Sequence, residues 1–448
     1  MTMAKAYVSV VLVALVASAA VMFGLPREDL PVHMLGHECT HTPNLITEAQ
    51  GDELMRVAKD IGEFQTNTRS AVVKSVTYEH IGEAQPLGPD GCPHPLLVPN
   101  LNRTHCIFPG RVDVGKHFLA YGGVGALKQN IKDMTSRVLT FGRFVYNLDE
   151  YPIMRELFEA PEFQKSAKRI CPKHQQTLDP LQFNIIINIP GQSVALHIDS
   201  VHFWGANRFR FPEWLLAAMS FSGMWGDKFV HQVQTVGYFH RWTDETKQSG
   251  ASGGSANFTG HSGGDYVFYD TNGKPQRHPP SPLGAISLDG TKVVHAADTY
   301  YSHITPPRID KSKLTSIKWD GGRQRWLLIS GGQELASYAT DDLRLSIVYR
   351  ARCFESEEAR TKFHNLGEED KLSLDEILAK FREDLQKRGK LTAEEAAEDD
   401  RLLLGLRILD TYIRYPLPED RLAIPVNYCA AQMFAPAWFD PLFTALRC

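Results

Sequence analysis

The sequence predicts an α+β protein, mainly β, in which a strand-rich middle region is flanked by helices. Residues 181–354 contain short apolar or alternating segments separated by Pro and Gly turns, which is the pattern of β-strands. Residues 124–170 and 401–415 instead carry apolar side chains at helical spacing. The charged sequence before residue 401 contains two capping boxes, Ser373–Glu376 and Thr392–Glu395, which mark helix starts.

Changes in composition divide the 448 residues into regions, and an apolar content of 43% is enough for a large core. A single helix, Thr47 to Phe64, is expected within the second region. The regions are 1–25, a signal anchor or signal peptide; 26–67, a polar stalk or linker; 68–180, a support region of strands and helices; 181–354, the β core; and 355–448, a helical C-terminal extension.

The N-terminus has the features of a targeting element. Lys5 precedes an uncharged, mostly apolar run, Ala6–Leu25, which is long enough to span a bilayer as a helix. The alternative is a cleaved signal peptide with Ala17-Ser18-Ala19 as its cleavage site. Because the positive charge comes before the run, both interpretations leave the body of the protein on the translocated side of the membrane.

Two further features favour a lumenal location. Asn102 and Asn257 begin glycosylation sequons, and seven cysteines suit an oxidising compartment with up to three disulfides. Cys92 and Cys106 flank a Pro-rich loop and are the expected pair. We therefore expect a membrane-anchored glycoprotein that faces the lumen of the endoplasmic reticulum or Golgi. Secretion, or a plastid route that starts with a signal peptide, is the alternative.

Charge and cysteine spacing exclude two classes of function. The net charge is −4, acidic and basic residues are well mixed, and no Lys/Arg-rich run is present, so nucleic acid is not an expected partner. No Cys-x-x-Cys spacing occurs, which argues against a structural zinc site.

His197, Asp199 and His295 are the candidate metal ligands. His197 and Asp199 lie at positions i and i+2 of a strand-like segment, so their side chains share one face while Ile198 points to the other. A second strand that brought His295 alongside would complete a set of two imidazoles and one carboxylate. That set leaves coordination positions open and suits non-haem Fe(II), which must bind both a co-substrate and O2.

The order of the strand-like segments resembles the Fe(II)/2-oxoglutarate-dependent oxygenase superfamily. A glycine, Gly191, precedes the His-x-Asp motif, a Gly-Gly strand and a Gly-led strand come before the distal histidine, and an Arg-x-Ser strand comes last. The resemblance covers residues 181–354, and its segments are Gln182–Asp199, Gly263–Asp270, Pro282–Gly290 and Arg344–Arg350. It implies a double-stranded β-helix, a jelly roll of two antiparallel sheets with flanking helices.

The resemblance also assigns the co-substrate site. Arg344 would form the salt bridge to the far carboxylate of 2-oxoglutarate, with Ser346 beside it, because a guanidinium matches a carboxylate bidentately. Arg350 lies on the same strand face and would meet the second carboxylate or sit at the rim. Many family members carry a tyrosine where this chain has Asn188, which can still donate a hydrogen bond to a carboxylate. Arg325, in another basic strand, is a rival anchor.

The implied function is a dioxygenase that hydroxylates or desaturates an unactivated C–H bond while 2-oxoglutarate is decarboxylated to succinate and CO2. Fe(II), 2-oxoglutarate and O2 take part, with ascorbate as a candidate further cofactor. Substrates divide between protein side chains and small or lipidic molecules. An amphipathic segment, 401–415, is expected to pack on the barrel or on a second subunit. The alternative from another class is a membrane-anchored jelly-roll binding protein without catalysis.

Overall fold

The computed structural model describes residues 30–66, 85–121, 140–242 and 261–416, apart from residues 90, 93, 95, 101, 102, 306, 308, 311, 312 and 399. The predicted targeting segment, the sequon asparagines and Cys429 and Cys448 lie outside the described residues. Within the described ranges, no helix combines the length and the apolar character that crossing a membrane requires.

Short strands dominate the described part of the chain. In chain order they are β1 (Cys39–Thr42), β2 (Glu63–Thr66), β3 (Gln85–Pro86), β4 (Val98–Pro99), β5 (His105–Ile107), β6 (Phe141–Val145), β7 (Thr177–Asn188), β8 (Val194–His197), β9 (His202–Phe203), β10 (Phe229–Val230), β11 (Gln232–Tyr238), β12 (Ser262–Gly263), β13 (Tyr266–Tyr269), β14 (Pro275–His278), β15 (Ala285–Leu288), β16 (His295–Ala297), β17 (Tyr300–Tyr301), β18 (Thr315–Asp320), β19 (Arg325–Ser330), β20 (Gln333–Tyr338) and β21 (Arg344–Phe354).

Helices lie between and after these strands. They are α1 (Glu48–Ile61), α2 (Val112–Tyr121), α3 (Pro152–Glu159), α4 (Pro161–Ile170), α5 (Glu213–Ser222), α6 (Glu357–His364), α7 (Leu374–Lys387), α8 (Ala393–Ala397) and α9 (Arg401–Tyr412). Both predicted capping boxes are present, since Ser373 and Thr392 accept hydrogen bonds from the backbone amides of Glu376 and Glu395.

The larger sheet has ten strands in the order β1-β15-β11-β21-β7-β6-β2-β18-β19-β20, paired antiparallel throughout. Strand β21 lies near its middle, between β11 and β7, and is almost wholly buried. Its side chains therefore point either into the helix-covered core or towards the second sheet.

The smaller sheet has four strands in the order β14-β13-β16-β8 and faces the larger one. Apolar side chains from both sheets form one buried cluster between them, with Val236, Ile286 and Val348 from the larger sheet and Tyr266 and Phe268 from the smaller. The fold is thus a mixed α+β arrangement with large antiparallel sheets, as predicted.

Helices cover the outer faces of the two sheets. Leu54 of α1, Met154 of α3 and Phe163 of α4 belong to the same core cluster as Phe183 and Ile347 of the larger sheet. Helices α5, α7 and α9 form a second cluster with Ile198, Tyr269 and Val294 on the outside of the smaller sheet. The predicted amphipathic segment 401–415 packs in this second cluster, with Ile408 and Leu409 fully buried.

Two expectations for the N-terminal half are wrong. Residues 30–66 do not form a stalk, because β1 pairs with β15 and α1 buries Leu54 and Ala58 against the core. The helical stretch expected over 124–170 is interrupted by β6, which pairs with both β2 and β7. Its Phe-Gly-Arg-Phe-Val sequence places Phe141 and Val145 in the core at strand spacing, so sheet pairing prevails over the helical pattern.

Two disulfide bonds link segments of the described fold. The predicted Cys92–Cys106 bond is present, and an additional Cys171–Cys353 bond joins the end of α4 to β21. Cys39 is free.

Candidate metal centre

His197 and His295 face each other across two paired strands. His197 ends β8, His295 begins β16, and the two residues are direct partners in the antiparallel register. Their ring centroids are 4.4 Å apart. The neighbouring residues Ile198 and Val294 point to the opposite side, into the helical core, which is the alternation expected of strands.

Both imidazoles are held in the form that binds a metal through Nε2. His197 Nδ1 lies 2.7 Å from the carbonyl oxygen of Ala195, and His295 Nδ1 lies 2.9 Å from that of Val293. A carbonyl can only accept, so each Nδ1 carries the hydrogen and each Nε2 presents a lone pair. Burial, together with the nearby charge of Arg111, lowers the pKa of His197 to about 3, and burial holds the pKa of His295 well below its usual value.

Asp199 completes the group. Its Oδ1 atom lies 3.7 Å from His197 Nε2 and 3.8 Å from His295 Nε2, and one ligand atom from each of the three residues lies within 4.8 Å of the others. Asp199 Oδ2 is buried and has no hydrogen-bond partner among the described residues. A buried carboxylate oxygen without a partner is unfavourable in a protein interior, and a bound cation would satisfy it.

Arg344 enters the same cavity from β21. Its side chain is buried, and its Nη1 donates to Asn188 Oδ1 at 3.1 Å while Nη2 donates to the Tyr238 hydroxyl at 3.3 Å. Neither partner is charged, Nε has no partner, and no carboxylate pairs with Arg344 in the described ranges. A buried guanidinium without a counter-charge is costly unless an anion binds to it.

The other residues predicted for the co-substrate site line the same cavity. Asn188 pairs with Arg344 in the β7–β21 register, and Ser346 is buried on the same face. Arg350 lies further along β21 and also lines the cavity, where its Nη2 contacts Asp199 Oδ1 directly. Burial lowers the pKa of Arg350 to about 9, which leaves it charged at neutral pH.

Gln234 links the two sheets at this point. Arg350 Nε donates to Gln234 Oε1 at 2.9 Å, and Gln234 Nε2 lies 3.2 Å from His295 Nε2 and 3.3 Å from the Tyr266 hydroxyl. The side chain of Gln234 on β11 therefore connects Arg350 on β21 with Nε2 of His295, the atom that would bind the metal.

Arg111, just before α2, fixes the backbone between the first two ligands. Its Nη1 and Nη2 atoms both donate to the carbonyl oxygen of Ile198, at 3.1 and 3.2 Å. The remaining donors are held by Asp113, at 3.2 and 2.9 Å, and by Glu213 at 3.1 Å. All five N–H groups of this guanidinium are thereby used, and its position is fully determined.

Tyr415 holds the other side of Ile198. Its hydroxyl accepts from the Ile198 amide at 3.4 Å and donates to Asp113 Oδ2 at 2.8 Å. The peptide groups on both sides of Ile198 are thus tied to one Arg111–Asp113–Tyr415 network, which we call the Ile198 clamp.

Several residues of the site could not be predicted from the sequence pattern. Arg111, Gln234, Tyr238 and Tyr415 carry no motif, although Gln234 and Tyr238 share one face of β11 at even spacing. The rival anchor Arg325 is not part of the site, since its guanidinium donates to Ser337 on the neighbouring strand β20.

A cavity of about 230 Å³ contains the group. Its lining includes the three candidate ligands, Arg344, Ser346, Asn188, Arg350, Gln234 and Arg111, together with Phe144, Gln182, Asn184, Arg208 and Glu213. The donor set fits Fe(II): two neutral imidazoles and a carboxylate lie on one side, and the cavity leaves the other side open.

Comparisons with known proteins give matches to solved structures only. No family model and no curated protein matches the chain. A prolyl-4-hydroxylase from Pseudomonas putida matches at 9% identity over 70% of this chain and 92% of its own, with a TM-score of 0.27. A prolyl hydroxylase from Trichoplax adhaerens, in complex with a peptide of hypoxia inducible factor, matches at 8% over 72% and 86%, with a TM-score of 0.31.

A third match is an oxidoreductase of the 2OG-Fe(II) oxygenase family from Burkholderia pseudomallei, at 10% identity over 48% of this chain and 66% of its own, with a TM-score of 0.24. These solved structures are enzymes of the class whose motifs the sequence resembles.

Proposed function

We propose that this protein is an Fe(II)/2-oxoglutarate-dependent dioxygenase that hydroxylates or desaturates an unactivated C–H bond. His197, Asp199 and His295 hold the iron, and Arg344 anchors the far carboxylate of 2-oxoglutarate. One observation carries the proposal: a buried arginine without a carboxylate partner among the described residues faces the same cavity as two imidazoles and a carboxylate.

The two ends of this cavity suit the two ends of 2-oxoglutarate. Arg344 would form a bidentate pair with one carboxylate, and its present neighbours Asn188 and Tyr238 would keep its plane fixed. The 2-oxo acid end would then lie towards the ligand group. The bound iron would supply the O2 chemistry, while the protein positions the co-substrate and the C–H bond and excludes water.

The facing antiparallel sheets support a double-stranded β-helix as the scaffold, with the ligands on the smaller sheet and Arg344 on the larger. A non-catalytic jelly-roll binding protein has no need for a buried, unpaired guanidinium aimed at the ligand group, so the enzyme is the better explanation. The substrate is a protein side chain or a small or lipidic molecule.

The proposed location is the secretory lumen, with a membrane anchor or a cleaved signal before the folded part. The Cys92–Cys106 and Cys171–Cys353 bonds support an oxidising compartment. Removal of N-glycans should shift the mobility of the protein, and intact microsomes should protect it from protease. An unglycosylated protein that is fully digested in intact microsomes would contradict this location.

Turnover of 2-oxoglutarate tests the function. Purified full-length protein with Fe(II), ascorbate and O2 should form succinate, more strongly in the presence of extracts that contain the substrate. The alanine variants of His197, Asp199 and His295 should each lose bound metal and succinate release together while the circular dichroism spectrum is kept. Zn(II) should bind without supporting turnover.

A matched control is His174→Ala, because this histidine is exposed and lies away from the cavity. Full activity in any one of the three ligand variants would remove that residue from the site. Absence of succinate formation in the iron-loaded wild type, with every extract, would overturn the proposed function.

A further inference from the structure

Arg208 lines the same cavity as Arg344 but is more exposed than the buried Arg344. It lines the cavity together with Phe144 and Gln182 and is only half-buried. Its Nη2 donates to the Tyr146 hydroxyl at 2.7 Å and to Gln182 Oε1 at 2.9 Å. These two bonds fix the guanidinium without neutralising it.

Aromatic rings surround this guanidinium. Its carbon lies 5.3 Å from the ring centroid of Phe209, 5.6 Å from that of Tyr146 and 6.0 Å from that of Phe144. Tyr146 and Phe209 are exposed by 54% and 63%, which is unusual for large aromatic side chains. Cation–π contacts with these rings hold Arg208 in place, and its two hydrogen bonds to described residues use only Nη2.

No carboxylate pairs with Arg208 in the described part of the chain. Of the two acidic residues in the cavity lining, Glu213 pairs with Arg111 at 3.1 Å and Asp199 pairs with Arg350. Arg208 is therefore a fixed and unpaired cation at a concave surface.

A second cavity, of about 370 Å³, adjoins the same position. Tyr146 and Phe209 line it, and so do Arg210, Arg352, His364 and Lys371, while none of the described lining residues is acidic. Asp179 lies behind it and is shared by Arg352, Arg360 and His364. Lys371 pairs with Glu368, so Arg210 is the basic residue of this lining that has no carboxylate partner among the described residues.

We propose that Arg208 is an anion-binding subsite at the mouth of the iron cavity, and that the substrate carries a carboxylate or phosphate group that binds there. The inference rests on the proposed function and narrows its substrate class. Tyr146 and Phe209 would cover an apolar or planar part of the same substrate. Neutral lipids and cationic side chains are then excluded as substrates.

Small aromatic probes test the subsite directly. Ligand-observed NMR would follow benzoate, phenyl phosphate, benzyl alcohol and benzylamine with full-length protein loaded with Zn(II) and saturated with 2-oxoglutarate, which occupies Arg344. We expect benzoate or phenyl phosphate to bind and benzylamine not to bind. The preferred anion identifies the group on the substrate.

Variants separate the charge of Arg208 from its structural contacts. Arg208→Gln should weaken binding of the anionic probe about tenfold or more, because a charge-assisted hydrogen bond is lost. Arg208→Lys should retain part of the affinity, and Arg323→Gln, in an exposed hairpin, should behave as wild type. The affinity for 2-oxoglutarate should stay unchanged in all three variants.

Equal binding of benzylamine and benzoate, or an unchanged benzoate affinity in Arg208→Gln, would overturn the anion subsite. Failure of the proposed function looks different, because 2-oxoglutarate would then not bind to the wild type. If Arg344→Gln abolishes benzoate binding while Arg208→Gln leaves it intact, the probe occupies the co-substrate site and the inference is wrong.

Discussion

The backbone carbonyl of Gly290 accepts a hydrogen bond from the Asp199 amide at 2.7 Å, and the same glycine lies directly against the Asp199 carboxylate. A Cβ atom at position 290 would collide with that carboxylate and would come within 3.2 Å of His295 Cε1. The glycine is required here for close approach of the backbone to two of the candidate ligands.

Replacing Gly290 with alanine should therefore damage the metal centre more than the fold. We expect Gly290→Ala to displace Asp199 and to lower the affinity for a divalent metal by roughly 10- to 100-fold, the range typical of residues that position ligands. Anaerobic titration with Co(II), followed by its visible absorption, measures this. Gly226→Ala is the matched control, because no atom lies near its added methyl group. Equal Co(II) affinity in both variants would contradict the prediction.

The bidentate role of Arg344 predicts a selective effect on the co-substrate. Arg344→Lys replaces a planar fork with a point charge, so binding of 2-oxoglutarate should weaken by roughly 1.5–3 kcal/mol, or about 10- to 100-fold in KM. Steady-state succinate formation at varied 2-oxoglutarate measures the change. Arg325→Lys should leave KM unaltered, since the Arg325 guanidinium donates to Ser337 on β20 and is not among the described residues that line the cavity. If Arg325→Lys raised KM and Arg344→Lys did not, Arg325 on β19 would be the residue that binds 2-oxoglutarate.

The Ile198 clamp predicts that Tyr415, although it is not a ligand, supports metal binding by positioning the His-x-Asp segment. Tyr415→Phe removes the hydroxyl that accepts from the Ile198 amide and donates to Asp113, so the His-x-Asp segment should loosen. We expect a decrease in Co(II) affinity of about tenfold. Tyr412→Phe is the matched control, because its hydroxyl also donates to a carboxylate, that of Asp384, away from Ile198. If the Co(II) affinity decreases equally in both variants, Tyr415 stabilises the fold in general and does not specifically position the ligands.

The Cys171–Cys353 disulfide should contribute more stability than Cys92–Cys106. It closes a sequence separation of 182 residues against 14, and loop-closure entropy then predicts stabilisation of about 5 kcal/mol against about 3 kcal/mol. Denaturant unfolding of the two double-serine variants under oxidising conditions compares them. If removing the Cys92–Cys106 bond lowered the free energy of unfolding more, loop-closure entropy would not be the main source of the stability that these disulfides contribute.

Features that depend on neighbouring residues could be predicted from the sequence alone. The alternation that places His197 and Asp199 on one face and Ile198 on the other is a property of a single strand. The capping boxes at Ser373 and Thr392 close within one helical turn. Cys92 and Cys106 are close in sequence, so their pairing needed little knowledge of the fold.

The resemblance to a known family indicated that His295 and Arg344 would join the His-x-Asp segment, whereas the other contacts between distant segments were decided by the tertiary structure. Residues 30–66 belong to the folded domain because β1 pairs with β15 at one edge of the larger sheet. Nothing in the polar sequence of residues 30–66 indicates this pairing. Tyr415 meets Ile198 across 217 residues, and Arg350 meets Asp199 across 151. Such contacts are set by how the sheets and helices close around a shared core. Local patterns determine which face a side chain occupies, and packing determines what that face meets.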